Sequence, residues 1–302
     1  MTFRYWTLII TLGAAWGCSF FLNEILLREV GPWTVSAGRV TLGAIGCWAY
    51  VVATGRMRAM PRALIRQLLF LGVLQFAMPF AVLPVSQQHI TSGAAGTLNA
   101  MTPIMVVIVS HFWRGGERAT MAKSAGVLFG FAGIVILMLP AMADGSSQVW
   151  AMLVALMAPV FYGISLNYMR RFKGVDSATM AAVALTGAAM FMGPLALATD
   201  GVPVITRVET FAAFATIGFV LTAATFLVMF WMIPRIGATN ASTVTFISPV
   251  SAVILGMVFL GEQITHNDVA GMFAIFCGLM LIDGRIIARW NAWRNAPHGL
   301  PA

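Results

Sequence analysis

The chain has 302 residues, of which 60% are hydrophobic and only 9% charged, and its mean hydropathy is +0.88. A water-soluble fold of this size could not bury that much apolar surface, so lipid must cover much of it. The net charge of +8 and a pI near 10.3 do not point to nucleic acid, because the basic residues are spread over short loops between apolar runs.

Crossing the hydrocarbon takes about 20 apolar residues as a helix. Ten segments qualify, at roughly 6–27, 33–54, 66–87, 92–113, 122–140, 149–170, 177–199, 210–232, 239–260 and 268–286. The expected fold is an all-α integral membrane bundle of ten transmembrane helices with no soluble domain. The first segment carries Trp16-Gly17 at mid-span and Asn23-Glu24 near its end. It is long and lacks a small-x-small cleavage pattern, so it reads as a span and not as a signal peptide. Arg39 lies inside the second span, Pro79 and Pro84 interrupt the third, Pro103 the fourth, Pro159 the sixth and Pro249 the ninth. Cys18, Cys47 and Cys277 all fall in spans and imply neither a disulfide framework nor a metal site, and no cofactor motif is present.

Loop charge sets the orientation. Taking every second loop from the N-terminus, one side collects Arg4, Arg56, Arg58, Arg62, Arg66, Arg114, Arg118, Lys123, Arg170, Arg171, Lys173, Arg235, Arg285, Arg289 and Arg294, fifteen of the eighteen basic residues. The opposite side has Arg28 and Arg207. Positive charge accumulates in cytoplasmic loops, so both termini are expected in the cytoplasm of a cell whose plasma (bacterial inner) membrane holds the protein.

The chain also repeats itself. Ser92-Gly93-Ala94-Ala95-Gly96-Thr97-Leu98-Asn99, leading to Pro103, returns 146 positions later as Ala238-Thr239-Asn240-Ala241-Ser242-Thr243-Val244-Thr245, leading to Pro249. Gly116-Glu117 answers to Gly261-Glu262, Gly126 and Gly133 to Gly271 and Gly278, and Trp16-Gly17 to Tyr162-Gly163. The expected domains are a first repeat over 1–145, a second over 146–288 and a tail over 289–302. Five spans per repeat is an odd number, so the second copy enters from the opposite side and the repeats are inverted. That arrangement recurs in secondary transporters that work by alternating access.

These motifs, with Pro32 and Arg39 entering the second span, resemble those of the drug/metabolite transporter superfamily, in particular the ten-helix exporters with two EamA repeats. The likeness covers nearly the whole chain and comes nearest to the inner-membrane amino-acid exporters, including those for aromatic amino acids. It implies a cavity lined by helices 1–4 and 6–9, with helices 5 and 10 outside. The small four-helix multidrug members exchange protons through a glutamate within their first helix. Here Trp16 stands near that position and no Asp or Glu occupies mid-span, so proton antiport through such a carboxylate is not supported.

Candidate substrate-cavity residues are the polar and aromatic groups placed within or beside the spans: Trp16, Arg39, Gln75, His89, Asn99, Tyr162, Asn167, Ser242 and Thr245. Proline removes the hydrogen bond to the carbonyl four residues earlier, which frees Asn99 before Pro103 and Thr245 before Pro249. Pro79, Pro84, Pro103, Pro249 and Gly96 are accordingly candidates for helix bends or gating. The face Gly96–Asn99–Pro103 and the face Ser242–Thr245–Pro249–Ala252–Gly256 are expected to meet, lining a hydrated pathway or packing through their small residues. An arginine within a span needs a partner; Arg39 either pairs with Glu24 or meets a substrate carboxylate. The expected function is export of amino acids and related small metabolites by a monomer embedded in lipid. A proton-coupled multidrug or cation exporter, a channel-like pore and a membrane-embedded enzyme are the alternatives. No catalytic residues are expected, since no zinc-protease helix or intramembrane aspartate pair is present and Ser165 has no evident histidine partner.

Overall fold

A computed structural model describes residues 3–143, 148–236 and 243–284. All regular structure among them is helical. The helices are α1 (Phe3–Leu27), α2 (Pro32–Ala53), α3 (Arg62–Gln87), α4 (Ser92–Phe112), α5 (Met121–Ala143), α6 (Gln148–Met169), α7 (Ser177–Thr199), α8 (Val208–Met229, its helix running on to Ile236), α9 (Val244–Leu260) and α10 (His266–Asp283). Nine are long and apolar enough to cross a membrane. The shorter α9 begins beside undescribed residues. With Leu128, Phe129, Val135 and Phe273 among the large side chains facing outward, the molecule is an integral membrane helical bundle.

Local chemistry sets the helix boundaries. Pro32 occupies the first turn of α2, where its missing N–H costs nothing. The Thr91 hydroxyl accepts the Ala94 amide to start α4, and Asp176 accepts the Thr179 amide to start α7. Thr265 and Asp268 form a reciprocal capping box at α10. The helix α3 starts four residues earlier than its apolar run because Pro61 precedes it and Arg62 and Arg66 extend from its first turns.

Three helices depart from α geometry. Residues Val73–Ala77 of α3 and Thr216–Ala224 of α8 are wound as π-helix, as are Gly256–Leu260 of α9. The first two fall at equivalent places in the two halves. In α3 the wider turn stands just before Pro79 and relieves the clash of its ring with the preceding turn. In α8 no proline is involved; the Thr222 hydroxyl donates to the Ile217 carbonyl five residues back at 2.8 Å, a bond matched to the π register. The helix α4 is broken at Ala100–Met101, immediately before Pro103.

Glycines let the helices approach at backbone distance. A Cβ on Gly126 would lie 2.6 Å from the Gly278 carbonyl oxygen, and one on Gly133 2.7 Å from that of Gly271, so α5 and α10 touch along a reciprocal seam. Gly17 of α1 abuts the Ser248 carbonyl of α9, and Gly163 of α6 abuts the Met105 carbonyl of α4. Further, α2 packs on α7, α3 on α7, and α8 on α2. Interchanging α1 with α6, α2 with α7, α3 with α8, α4 with α9 and α5 with α10 carries this set of pairings onto itself.

The two ends of the bundle are tied by different chemistry. At the arginine-rich end, Arg56 pairs with Asp176 at 3.2 Å, and Glu117 pairs with Lys123 at 3.1 Å and Arg170 at 3.3 Å. At the other end carboxylates accept backbone amides at or just before the starts of helices. Asp200 takes the Thr34 amide at 2.7 Å, Glu29 takes those of Thr206 and Arg207 at 2.7 and 3.1 Å, and Glu262 takes those of Ser92 and Gly93 at 2.7 and 3.1 Å. A Cβ on Gly256 would strike the Glu262 carboxylate at 2.2 Å, so that glycine makes room for the cap.

Candidate functional site

Arg39 stands at the centre of the candidate site. It is 6% exposed. Its Nε donates to the Thr222 hydroxyl of α8 at 3.0 Å and its Nη2 to the Ser19 hydroxyl of α1 at 3.2 Å. The guanidinium lies over the Phe80 ring of α3, 3.7 Å from its centroid. The expected pair with Glu24 is not formed: Glu24 instead accepts from the Gln87 amide at 3.2 Å, and Gln87 also donates to the Phe20 carbonyl and accepts from Asn23. Glu24 is thus held in an amide network of α1 and α3. All three ion pairs among the described residues lie at the arginine-rich end, and none includes Arg39.

An aromatic wall extends from this cation. Phe80 meets Phe76 at 5.8 Å, Phe76 meets Phe226 edge-on at 5.1 Å, and Phe226 meets Trp16 at 5.8 Å between ring centroids. The Trp16 indole N–H donates to the Thr225 hydroxyl at 3.1 Å. Tyr162 of α6 packs on both large apolar cores. Beside it, Ser165 donates to the Gln75 side chain, which the π turn of α3 holds inside the bundle. Of the sequence candidates, Trp16, Arg39, Gln75 and Tyr162 therefore gather in one interior region, where helices from both halves meet.

Other candidates lie elsewhere. His89 is exposed and stacks edge-on against Trp150 at 4.9 Å, at the rim and outside the cluster. Asn167 is 3% exposed; it accepts from Ser110 of α4 at 2.9 Å and donates to the Gly163 carbonyl, which makes it a tie between helices. Gly96 sits where α4 crosses α9, with a Cβ there only 2.6 Å from Ala252; at this crossing the two faces pack through small residues. Asn99 is half-buried, and its side-chain oxygen is enclosed with no hydrogen-bond partner. The carbonyl freed by Pro103 is satisfied by the Thr102 hydroxyl at 2.7 Å. Thr245 is half-buried on α9, one turn before Pro249, and Ser242 lies outside the described residues. Pro84 remains inside a continuous helical run, whereas Pro79 follows the π turn.

Sequence reasoning missed Ser19, Phe76, Phe80, Thr222 and Thr225, and weighed Ser165 only as a nucleophile. Ser19 and Ser165 stand at the same 146-residue offset as Trp16 and Tyr162, a signal that was available. The position equivalent to Arg39 is Leu185, so the cation breaks the duplication. No group of His, Cys, Asp and Glu among the described residues could hold a metal ion. An open apolar crevice of about 910 Å³ on the flank between α2 and α7, lined by Ala44, Ile45, Trp48 and Met190, does not include the Arg39 cluster.

Carboxylates outside the membrane spans are held ionised. The hydroxyls of Thr210 and Thr206, then the Thr206 and Arg207 amides, bring Glu29 down to about 2. The bonded ammonium of Lys123, with Arg170, lowers Glu117. Burial works against ionisation of Asp176, but the Thr179 bonds and Arg56 outweigh it and lower its pKa.

The model of the EamA-like transporter family matches residues 4–139 and again residues 149–283. The chain is 25% identical to "Uncharacterized transporter YoaV" of Bacillus subtilis, over 90% of this chain and 94% of that one. It is 23% identical to "Probable terminal-alkyne amino-acid exporter" of Streptantibioticus cattleyicolor, over 94% of each. It is 21% identical to "Uncharacterized inner membrane transporter YedA" of Escherichia coli K12, over 91% of this chain and 89% of that one. One solved crystal structure superposes with a TM-score of 0.68 at 19% identity, covering 95% of this chain and 99% of that chain. Two family matches that together span nearly the whole bundle, with full-length relatives named as transporters, place the chain in the EamA-like transporter family, a family of transporters and not of enzymes.

Proposed function

We propose that the protein exports amino acids with apolar or aromatic side chains, and related small metabolites, across the bacterial inner membrane by alternating access, with both termini in the cytoplasm. The observation that carries this reading is the enclosed polar and aromatic cluster around Arg39, assembled from α1, α2 and α3 of one half and α6 and α8 of the other. An inert bundle has no use for a cation, two amide or hydroxyl pairs and an aromatic wall in its interior. Two five-span halves with interchangeable packing supply what rocking requires, and the matching π turns of α3 and α8 supply places to flex. Kinship with a relative named "Probable terminal-alkyne amino-acid exporter" supports the substrate class. Among the described residues no carboxylate partners the Arg39 cluster, which favours facilitated export over proton exchange at the centre.

The test is uptake into proteoliposomes of labelled amino acids, nucleosides and cationic dyes, with and without a pH gradient. Saturable amino-acid flux that shows countertransport and does not require the gradient is expected. Flux confined to cationic dyes and driven by the gradient would replace this reading with a multidrug exchanger, and conductance far above carrier turnover would replace it with a pore.

A further inference from the structure

We propose that Arg39 is the anchor for a single substrate carboxylate, so that the transported class is monocarboxylates with an apolar or aromatic body. This rests on the export reading above and narrows it.

The bonds of Arg39 are the first ground. Thr222 and Ser19 take the edge formed by Nε and one N–H of Nη2, and Phe80 covers one face of the guanidinium. Among the described residues nothing takes the other three N–H groups, two on Nη1 and one on Nη2. They form the end-on fork that grips a carboxylate through two parallel bonds. The two neutral hydroxyls on that edge orient the fork without neutralising it.

The charge is the second. A buried cation without an anion is costly, and proteins normally pair it. Here the described carboxylates with known partners are committed elsewhere: Glu24 to Gln87, Glu29 and Asp200 to backbone amides, Glu117 and Asp176 to exposed basic residues, Glu262 to the start of α4. One positive charge in an apolar surround is balanced by one negative charge: a simple monocarboxylate brings the site to neutrality, and a zwitterionic amino acid pairs its carboxylate with the arginine and leaves one net positive charge. A phosphate dianion would leave the site net negative, and a cationic drug would add to its charge. The equivalent position in the other half is Leu185, so a repeat-wide structural need does not account for the arginine.

The neighbourhood is the third. The rings of Phe80, Phe76, Phe226 and Trp16 contact one another in succession, beginning with the ring that lies over the guanidinium. A ligand whose carboxylate docks at Arg39 has its body against these rings, where apolar burial and ring packing favour it.

The test compares L-phenylalanine, 3-phenylpropionate and L-phenylalaninamide on the detergent-purified full chain, by thermal stabilisation and by competition in proteoliposomes. Both carboxylates should bind and the amide should not. Arg39→Gln, which keeps N–H donors without the charge, should weaken carboxylate binding roughly 10- to 100-fold, the loss expected for hydrogen bonds to a charged group. Arg39→Lys should recover part of it, and a merely structural arginine would show no such selective rescue. The amide binding as well as the acids, neither acid binding, or Arg39→Gln keeping wild-type affinity would each overturn the assignment. The comparison of acid with amide needs no variant, so misfolding of Arg39→Gln leaves it intact. Saturable flux of amides or cations alone would sink the carboxylate anchor while leaving transport standing; no saturable flux of any class would sink the export reading itself.

Discussion

Asn99 presents two oxygens with opposite fates. Its backbone carbonyl, stripped of a helical partner by Pro103, is served by the Thr102 hydroxyl, while its side-chain oxygen is enclosed without a partner. Thr102→Val should therefore cost about 1–3 kcal/mol, the penalty for stranding a buried acceptor, and lower the unfolding temperature in detergent. Asn99→Ala removes an unsatisfied oxygen and should leave that temperature near wild type while lowering flux; unchanged flux in both Asn99→Ala and Thr245→Ala would remove these residues from the pathway. The proline rule made the first oxygen legible in the sequence. The hydroxyl that rescues it is a local rotamer choice, which sequence does not display. Arg39 shows the same limit at long range. Glu24 was the apparent partner because both residues lie near one membrane face, yet the groups that orient the guanidinium include Thr222, 183 positions away, and no periodicity connects the two.

Elements meet through the glycines that the repeat brought to notice. The motif pairs Gly126/Gly133 and Gly271/Gly278 were readable as recurrent, and the structure gives their use: they are opposite sides of one seam between α5 and α10. Gly72 and Gly187, which join α3 to α7, were not found, although Gly72 stands at the 146-residue offset from Gly218. A Cβ on Gly72 would lie 1.7 Å from the Ala184 carbonyl oxygen, so Gly72→Ala should destabilise by about 1–3 kcal/mol through overpacking. Gly193→Ala on α7 meets nothing within 4 Å and should be neutral or stabilise by about 0.5–1 kcal/mol through reduced backbone entropy. Thermal unfolding of the two variants in one detergent checks both signs. The π turns were hidden from a helical pattern scan, since an extra residue in one turn of a uniformly apolar span leaves no break in the hydropathy.

The whole molecule was the most legible level, because composition and loop charge are properties summed over many residues. Ten spans and the gathering of basic loops at one end follow from them. Which helix touches which does not follow, since lipid-facing and core-facing residues are alike apolar. The chemistry of the two ends yields a pH prediction. The pKa of Glu29 is lowered in the fold to about 2, against about 4.3 for an unfolded glutamate. Its contribution is therefore fully present above about pH 4.3 and is lost as pH falls through about 2. The tie between the α1–α2 loop and α8 should loosen in that window, and Glu29→Gln should flatten the acid dependence of unfolding there by comparison with wild type. The opposite end depends instead on exposed ion pairs, each worth at most about 1 kcal/mol. Dissolved salt weakens such pairs, since the screening length shrinks to about 3 Å at 1 M, but it hardly touches a carboxylate bonded to backbone amides. Ionic strength is thus a one-sided lever: at neutral pH, concentrated salt should loosen the arginine-rich end alone and, in the alternating-access cycle proposed above, bias the resting population toward the state that opens there.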